Sequence, residues 1–158
     1  MPIFNLTKHR MPLLAASCVP LAAIAKWSIV QKYKVRFFFE YGAGGCLWAD
    51  NELTFTEFGV GPIDKDIATK TQTLSPETLG LIRTLDEEHS KYLNEDYPLY
   101  PSLWRQSECD NFNQSISTLL ERLRNEMGDD FEIIDKQPRY SEDPDLDAYL
   151  KNFSQFRR

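Results

Sequence analysis

Nucleophilic or metal chemistry in this 158-residue chain would have to come from three cysteines and two histidines. Cys18, Cys46 and Cys109 with His9 and His89 show no zinc-site spacing and are too few for a disulfide framework. A thiol nucleophile needs a base, which leaves Cys46 or Cys109 with His89 as the pair for a small hydrolase. His89 falls on the apolar side of a helical pattern, where a packed imidazole is the ordinary outcome, and isolated cysteines are commonly buried small hydrophobes. Carboxylates offer the other hydrolase chemistry, because two of them a few ångströms apart can share general acid and base roles. Glu40, Asp50, Glu52, Asp64 and Asp66 are the candidates, and a solvated acidic surface is the plainer account of them.

Two further patterns resemble ligand motifs without their mechanism. Asp143, Asp145 and Asp147 alternate like the start of a calcium loop, yet Ala148 stands where glycine makes the turn and Ser154 where a bidentate Glu is required. Helix initiation explains these acids better. The run Gly42-Ala43-Gly44-Gly45 follows a strand pattern but has neither the Lys of a phosphate loop nor a helix opening directly after it. It reads as a turn. The sequence therefore predicts no metal and no cofactor, and it leans away from an enzyme.

Acids mixed with aromatics in irregular segments point instead to a binding surface. Its expected members are Glu40, Tyr41, Trp48, Asp50, Glu52, Asp64, Asp66, Glu95, Asp96, Tyr97, Tyr100 and Trp104, with rings as anchors and carboxylates as steering charge. The formal charge is −6 and the pI about 5.0. That balance excludes a protein whose task is holding nucleic acid phosphates. The distribution is uneven: residues 1–36 hold six basic residues and no acid, so residues 37–158 set 12 basic residues against all 24 acids, a net −12. Such a field favours a basic protein partner and repels nucleic acid and anionic membrane. The competing reading is acidity kept only for solubility.

Stepping along the chain, residues 1–33 form a basic, apolar extension expected to lie outside the core. Its run Met11–Ala25 is shorter than the roughly 20 apolar residues that span a bilayer. With Ala23-Ile24-Ala25 it fits an export signal, and Ala16-Ser17-Cys18 faintly fits a lipoprotein cleavage box. A cytoplasmic protein with an unfolded extension is the expectation, and export through residues 1–25 the alternative. Residues 34–135 read as the domain proper. Lys34–Tyr41 is rich in β-branched and aromatic residues and predicts a strand. The stretch Cys46–Thr73 predicts a long, partly ordered loop with a short strand over Leu53–Phe58.

Ser75-Pro76 supplies a cap and a first-turn proline for a helix carrying Leu79, Ile82, Leu85, His89, Tyr92 and Leu93 on one face. Tyr97–Trp104, stiffened by Pro98 and Pro101, is a connector. A second helix follows, with Ser107 and Asp110 as a capping box, Phe112, Ile116, Leu119, Leu120, Leu123 and Met127 on its apolar face, and Gly128 as its stop. Phe131–Ile134 predicts a strand. In the tail, residues 136–158, Asp143-Pro144 opens a short helix with Leu146, Tyr149, Leu150 and Phe153 on one face. The fold class is α+β: a small sheet with two main amphipathic helices packed against it, plus a short C-terminal helix. The expected core is Phe37, Phe39, Leu79, Ile82, Leu85, Phe112, Ile116, Leu119, Leu120, Leu123, Phe131 and Ile133.

An ordered set of local features resembles that of small bacterial α+β proteins. Its residues are Phe38-Phe39-Glu40-Tyr41-Gly42, Leu47-Trp48, Leu74-Ser75, Asp96-Tyr97-Pro98, Trp104, Phe112-Asn113, and Leu123-Arg124-Asn125-Glu126-Met127-Gly128 before Phe131-Glu132-Ile133. In type, a compact acidic α+β domain is similar to immunity proteins that neutralise bacterial toxins. That resemblance implies a protein partner and no catalytic residues.

Overall fold

The computed structural model describes residues 31–156. The candidate export signal and residues 157–158 lie outside the described residues. A strand β1 (Tyr33–Phe37) runs through the middle of a three-stranded sheet. On one side β2 (Leu47–Ala49) pairs with it antiparallel, with Val35 opposite Ala49. On the other, β3 (Phe131–Asp135) pairs parallel, with Val35 opposite Ile133. Val35 and Phe37 are fully buried on one face of β1. The opposite face is polar: Lys34 pairs with Glu132 at 3.0 Å and Arg36 with Asp50 at 3.1 Å. A sheet with one dry and one wet face reads as alternation, as KVRF does.

A parallel pair needs a long crossover, and here it carries four helices. They are α1 (Glu52–Phe58), α2 (Asp64–Thr71), α3 (Pro76–Ser90) and α4 (Gln106–Met127). The strand expected over Leu53–Phe58 is thus a helix. Asn51 decides it: its Oδ1 accepts the Thr54 N–H at 3.0 Å while its Nδ2 donates to the Lys32 carbonyl. That cap starts a helix whose buried Thr54 and Phe58 are four apart, and burial on that face overrides the local β propensity. The expected loop Cys46–Thr73 is therefore mostly regular structure, holding β2, α1 and α2.

Elsewhere the boundaries move rather than the elements. The first strand stops at Phe37 instead of Tyr41, and α3 stops at Ser90, leaving Tyr92 and Leu93 beyond it. The acidic cap of α4 is not the Ser107 and Asp110 pair; Glu108 Oε2 accepts the Arg105 N–H at 2.9 Å, a pair shifted two residues earlier. Gly128 ends α4 at φ +64°, a conformation that favours glycine. In α5 (Leu146–Lys151) only Leu146 and Tyr149 are buried, Leu150 faces solvent, and Phe153 is exposed beyond the end of the helix. Of the expected core, Leu79 and Ile133 sit half-buried at its edge and the rest is buried. The tail is integral to this body. Buried Gln137 accepts the Phe39 N–H at 2.7 Å, and Asn113 on α4 holds both the N–H and the carbonyl of Tyr140. No described helix is long and apolar enough to cross a membrane.

The two long helices are stitched by one carboxylate. Glu126, near the end of α4, accepts the Ser75 N–H at 2.9 Å, the Ser75 hydroxyl at 2.9 Å and the Thr78 hydroxyl at 2.6 Å. Burial pushes its pKa up, but the hydrogen bonds from Thr78 and Ser75 outweigh it and hold the carboxyl below its usual range. Glu126→Ala strips the start of α3 of that acceptor and should lower the urea unfolding free energy by about 2 kcal/mol. Glu126→Gln keeps an acceptor and should lose roughly half as much.

Candidate functional site

The turn between β1 and β2 is where the chain places its most deeply buried carboxylate. Asp64 opens α2 and is only 4% exposed. Its two oxygens accept the Cys46 N–H at 3.2 and 3.1 Å, and Oδ1 also takes the Leu47 N–H at 3.2 Å and the Cys46 thiol at 3.3 Å. Gly45 makes this approach possible: a Cβ there would collide with Asp64 Oδ2 and sit 2.7 Å from the Pro62 side chain. Burial raises the Asp64 pKa, against the hydrogen bonds from Cys46 and Leu47 that lower it. The same burial, with the Asp64 charge next to it, pushes the Cys46 thiol well above its ordinary value.

That geometry removes two sequence-based candidates. Asp64 is not a steering charge on the surface; it is an internal acceptor. Neither Cys/His pair is assembled. Cys46 is spent on Asp64, and Cys109 is buried on α4 with its pKa raised by burial and by the nearby Asp110 and Glu108. A reactive thiol needs a depressed pKa and access, and these have neither.

His89 sits in a different cluster, at the last turn of α3. Its Nε2 meets the Tyr140 hydroxyl at 2.8 Å, and the Tyr41 ring stacks on the imidazole at 4.3 Å. Tyr140 in turn stacks on Tyr92 at 3.9 Å, and Trp104 packs edge-on to both Tyr92 and Phe112. The imidazole Nδ1 is buried with no hydrogen-bond partner among the described residues. A helix C-terminus favours a cationic imidazole, but burial dominates and lowers the pKa to about 4. Burial likewise raises the Tyr140 phenol, helped by Tyr41 beside it. The cluster is a neutral aromatic hub.

No protein-family model, curated protein or solved structure matches this chain. Among the described residues no group of three His, Cys, Asp or Glu is placed to hold a metal ion.

The remaining expected binding residues separate into groups. Trp48 is half-buried on the wet face of the sheet, stacked on Phe38 at 5.1 Å and donating its indole N–H to the Phe38 carbonyl at 2.9 Å, with Asp50 beside it paired to Arg36. Tyr41 and Trp104 belong to the His89 hub, where Trp104 is half-buried and Tyr41 is 40% exposed. Glu95, Asp96, Tyr97 and Tyr100 lie together on the connector between α3 and α4. Glu40, Glu52 and Asp66 are exposed.

The connector holds more than the sequence suggested. Tyr100 is half-buried against Tyr149 of α5 at 5.3 Å, and the Tyr149 hydroxyl donates to Asp96 at 3.2 Å, so connector and α5 form one surface. Five of the eight exposed large hydrophobic side chains among the described residues belong to the connector and the segment from α5 onward: Tyr97, Leu99, Leu103, Leu150 and Phe153. Phe153 lies past the end of α5 at Lys151, so the helix does not carry it round to the face of Leu146 and Tyr149.

Two outcomes are expected. Between pH 6.5 and about 4 the unfolded chain takes up a proton at residue 89 that the folded protein refuses, so stability is full above 6.5 and falls as pH drops through that window. Urea titrations at pH 7 and pH 4 should show the wild type losing about 2–3 kcal/mol more than His89→Gln. Alkylation by iodoacetamide at pH 8, mapped by peptide mass spectrometry, should leave Cys46 and Cys109 unmodified until denaturant is added. Rapid native labelling of Cys46 would contradict the Asp64 geometry.

Proposed function

We propose that this protein is an acidic protein-binding module, an immunity-type inhibitor of a basic partner, docking through the connector and α5. The observation that carries the reading is the concentration of exposed Tyr97, Leu99, Leu103, Leu150 and Phe153, with exposed Glu95, Asp96, Asp145 and Asp147, in two segments that meet through Tyr100, Tyr149 and Asp96. Single exposed hydrophobes are ordinary on a soluble protein, whereas a group rimmed by charge marks an interface. Against these four carboxylates stand Lys151 at the end of α5 and Arg105, which is already engaged by Glu142 at 3.0 Å and Asp147 at 2.9 Å. What the surface offers a partner is therefore negative charge around apolar anchors. Charge sets the encounter rate and rings set the lifetime of the complex.

Immobilised protein presented to a lysate of the source cell at low salt should retain a cationic protein. With that protein purified, its association rate should fall at least about tenfold between 50 and 500 mM salt, as screening predicts for steered encounter. Tyr97→Ser with Phe153→Ser should speed dissociation about tenfold or more while leaving the salt dependence of association intact. Retention of no protein, or of one whose kinetics ignore both salt and these substitutions, would overturn the reading.

A further inference from the structure

Beside the Asp64 turn lies a cleft of about 370 Å³ where the β1–β2 turn, the start of α2 and the first half of α3 meet. Its size is that of a small-molecule site. The floor is apolar, made by Pro76, Leu79 and Ile82, and Leu79 is half-exposed for this reason. Two cations line it, Lys65 and Arg83, and neither makes an ion pair among the described residues. Both are exposed.

The walls are fixed before any ligand arrives. Asp64 holds the turn to α2 through Cys46 and Leu47, and the Asp86 carboxyl of α3 lies close to the Gly44 backbone. Asp64 consumes the amides of Cys46 and Leu47, so neither is left to hold an anion, and the charged groups lining the cleft are side chains. Gly80 supplies an independent sign of the same space. Glycine is the least favourable ordinary residue in a helix interior, and a Cβ built at Gly80 meets nothing within 4 Å, so packing does not demand it. It leaves α3 bare where the helix lines the cleft.

We propose that this cleft binds a small carboxylic acid with a compact apolar body. The body lies on Leu79, Ile82 and bare Gly80, and the carboxylate is taken by Arg83, whose planar fork matches it, with Lys65 as the second charge. Asp64, spent on the turn, forms the end wall and disfavours a second anionic group on the ligand.

The full chain labelled with 15N, titrated with phenylacetate, should show saturable shifts at the Gly44, Lys65 and Gly80 amides. Phenylacetamide, isosteric and neutral, should give shifts at least about tenfold weaker at equal concentration, the factor expected for losing a charge-assisted contact. Arg83→Gln, a change at an exposed residue without an ion pair, should raise the half-saturation concentration about tenfold. Gly80→Leu, which fills the cleft and improves helix propensity, should abolish the shifts with a melting temperature equal to or above that of the wild type. Absence of saturable shifts with phenylacetate, 4-methylpentanoate and benzoate alike would overturn the proposal. So would equal response to acid and amide, or binding that ignores Arg83→Gln in a folded protein.

Discussion

Asp64 gives up solvent to accept donors from Cys46 and Leu47, and the junction between sheet and helices depends on that exchange. A turn that leaves β1, reverses through glycines and re-enters as β2 exposes backbone N–H groups that no strand satisfies. An unpaired amide in a dry interior costs about 1–3 kcal/mol, so several together would open the turn. One carboxylate at the start of α2 answers three of these donors at once, the thiol included. Its own burial is tolerable only because those donors replace water. Ile63 then donates to the Leu47 carbonyl at 2.8 Å, which seats the start of α2 against β2. Sheet edge, turn and helix are fixed by a single side chain and the glycine that lets it approach.

A second constraint acts at the other end of α3. His89, Tyr41, Tyr92, Trp104, Phe112 and Tyr140 come from the turn, α3 and the segment after it, the connector, α4 and the tail. Aromatic groups tolerate such a meeting of irregular segments because their large faces bury area without requiring backbone pairing. The polar edges then need partners. His89 and Tyr140 supply them for each other, leaving only the imidazole Nδ1 unanswered. The hub explains why the tail after β3 is ordered: Tyr140 is one of its rings, and Asn113 fixes the backbone that carries it.

How much of this was legible depends on whether the signal is local. The long helix α4 could be read because seven buried residues recur at helical spacing and Gly128 closes the run. Helix α3 announced itself through Ser75-Pro76, and the strands at residues 33–37 and 131–135 through β-branched and aromatic content. Helix α1 was misread because Leu53, Phe55 and Phe58 favour a strand by composition, while the deciding term is the Asn51 side chain on one amide. The burial of Asp64 had no local signature. Nothing in its own neighbourhood in sequence distinguishes it from Asp66, two residues on and exposed; only the arrival of Cys46 and Leu47, 18 and 17 residues away, does. The exposed side chains were half legible: Tyr97 and its acids stood out in a proline-rich connector, whereas Leu150 and Phe153 fit the helical spacing of Leu146 and Tyr149 yet are exposed, Phe153 because the helix ends at Lys151.

Charge acts on this molecule at two ranges, and they need not agree in sign. At distances beyond a Debye length, about 8 Å at physiological salt, a partner senses the sum, and residues 37–158 set 12 basic residues against 24 acids. Within contact distance the sum is irrelevant and the nearest groups decide. Around the connector and α5 those groups are mostly carboxylates, with Lys151 the exception, so far field and near field share a sign, which is what the proposed cationic partner would meet. At the cleft beside Gly44, Lys65 and Arg83 reverse the local sign against an acidic background. A macroanion would be turned away by the far field before reaching them. A small monoanion carries little charge through that field and is affected mainly at the last few ångströms, where the two cations and the apolar floor act together. On the two proposals, the same acidic background would suit one surface to a protein and restrict the other to small ligands.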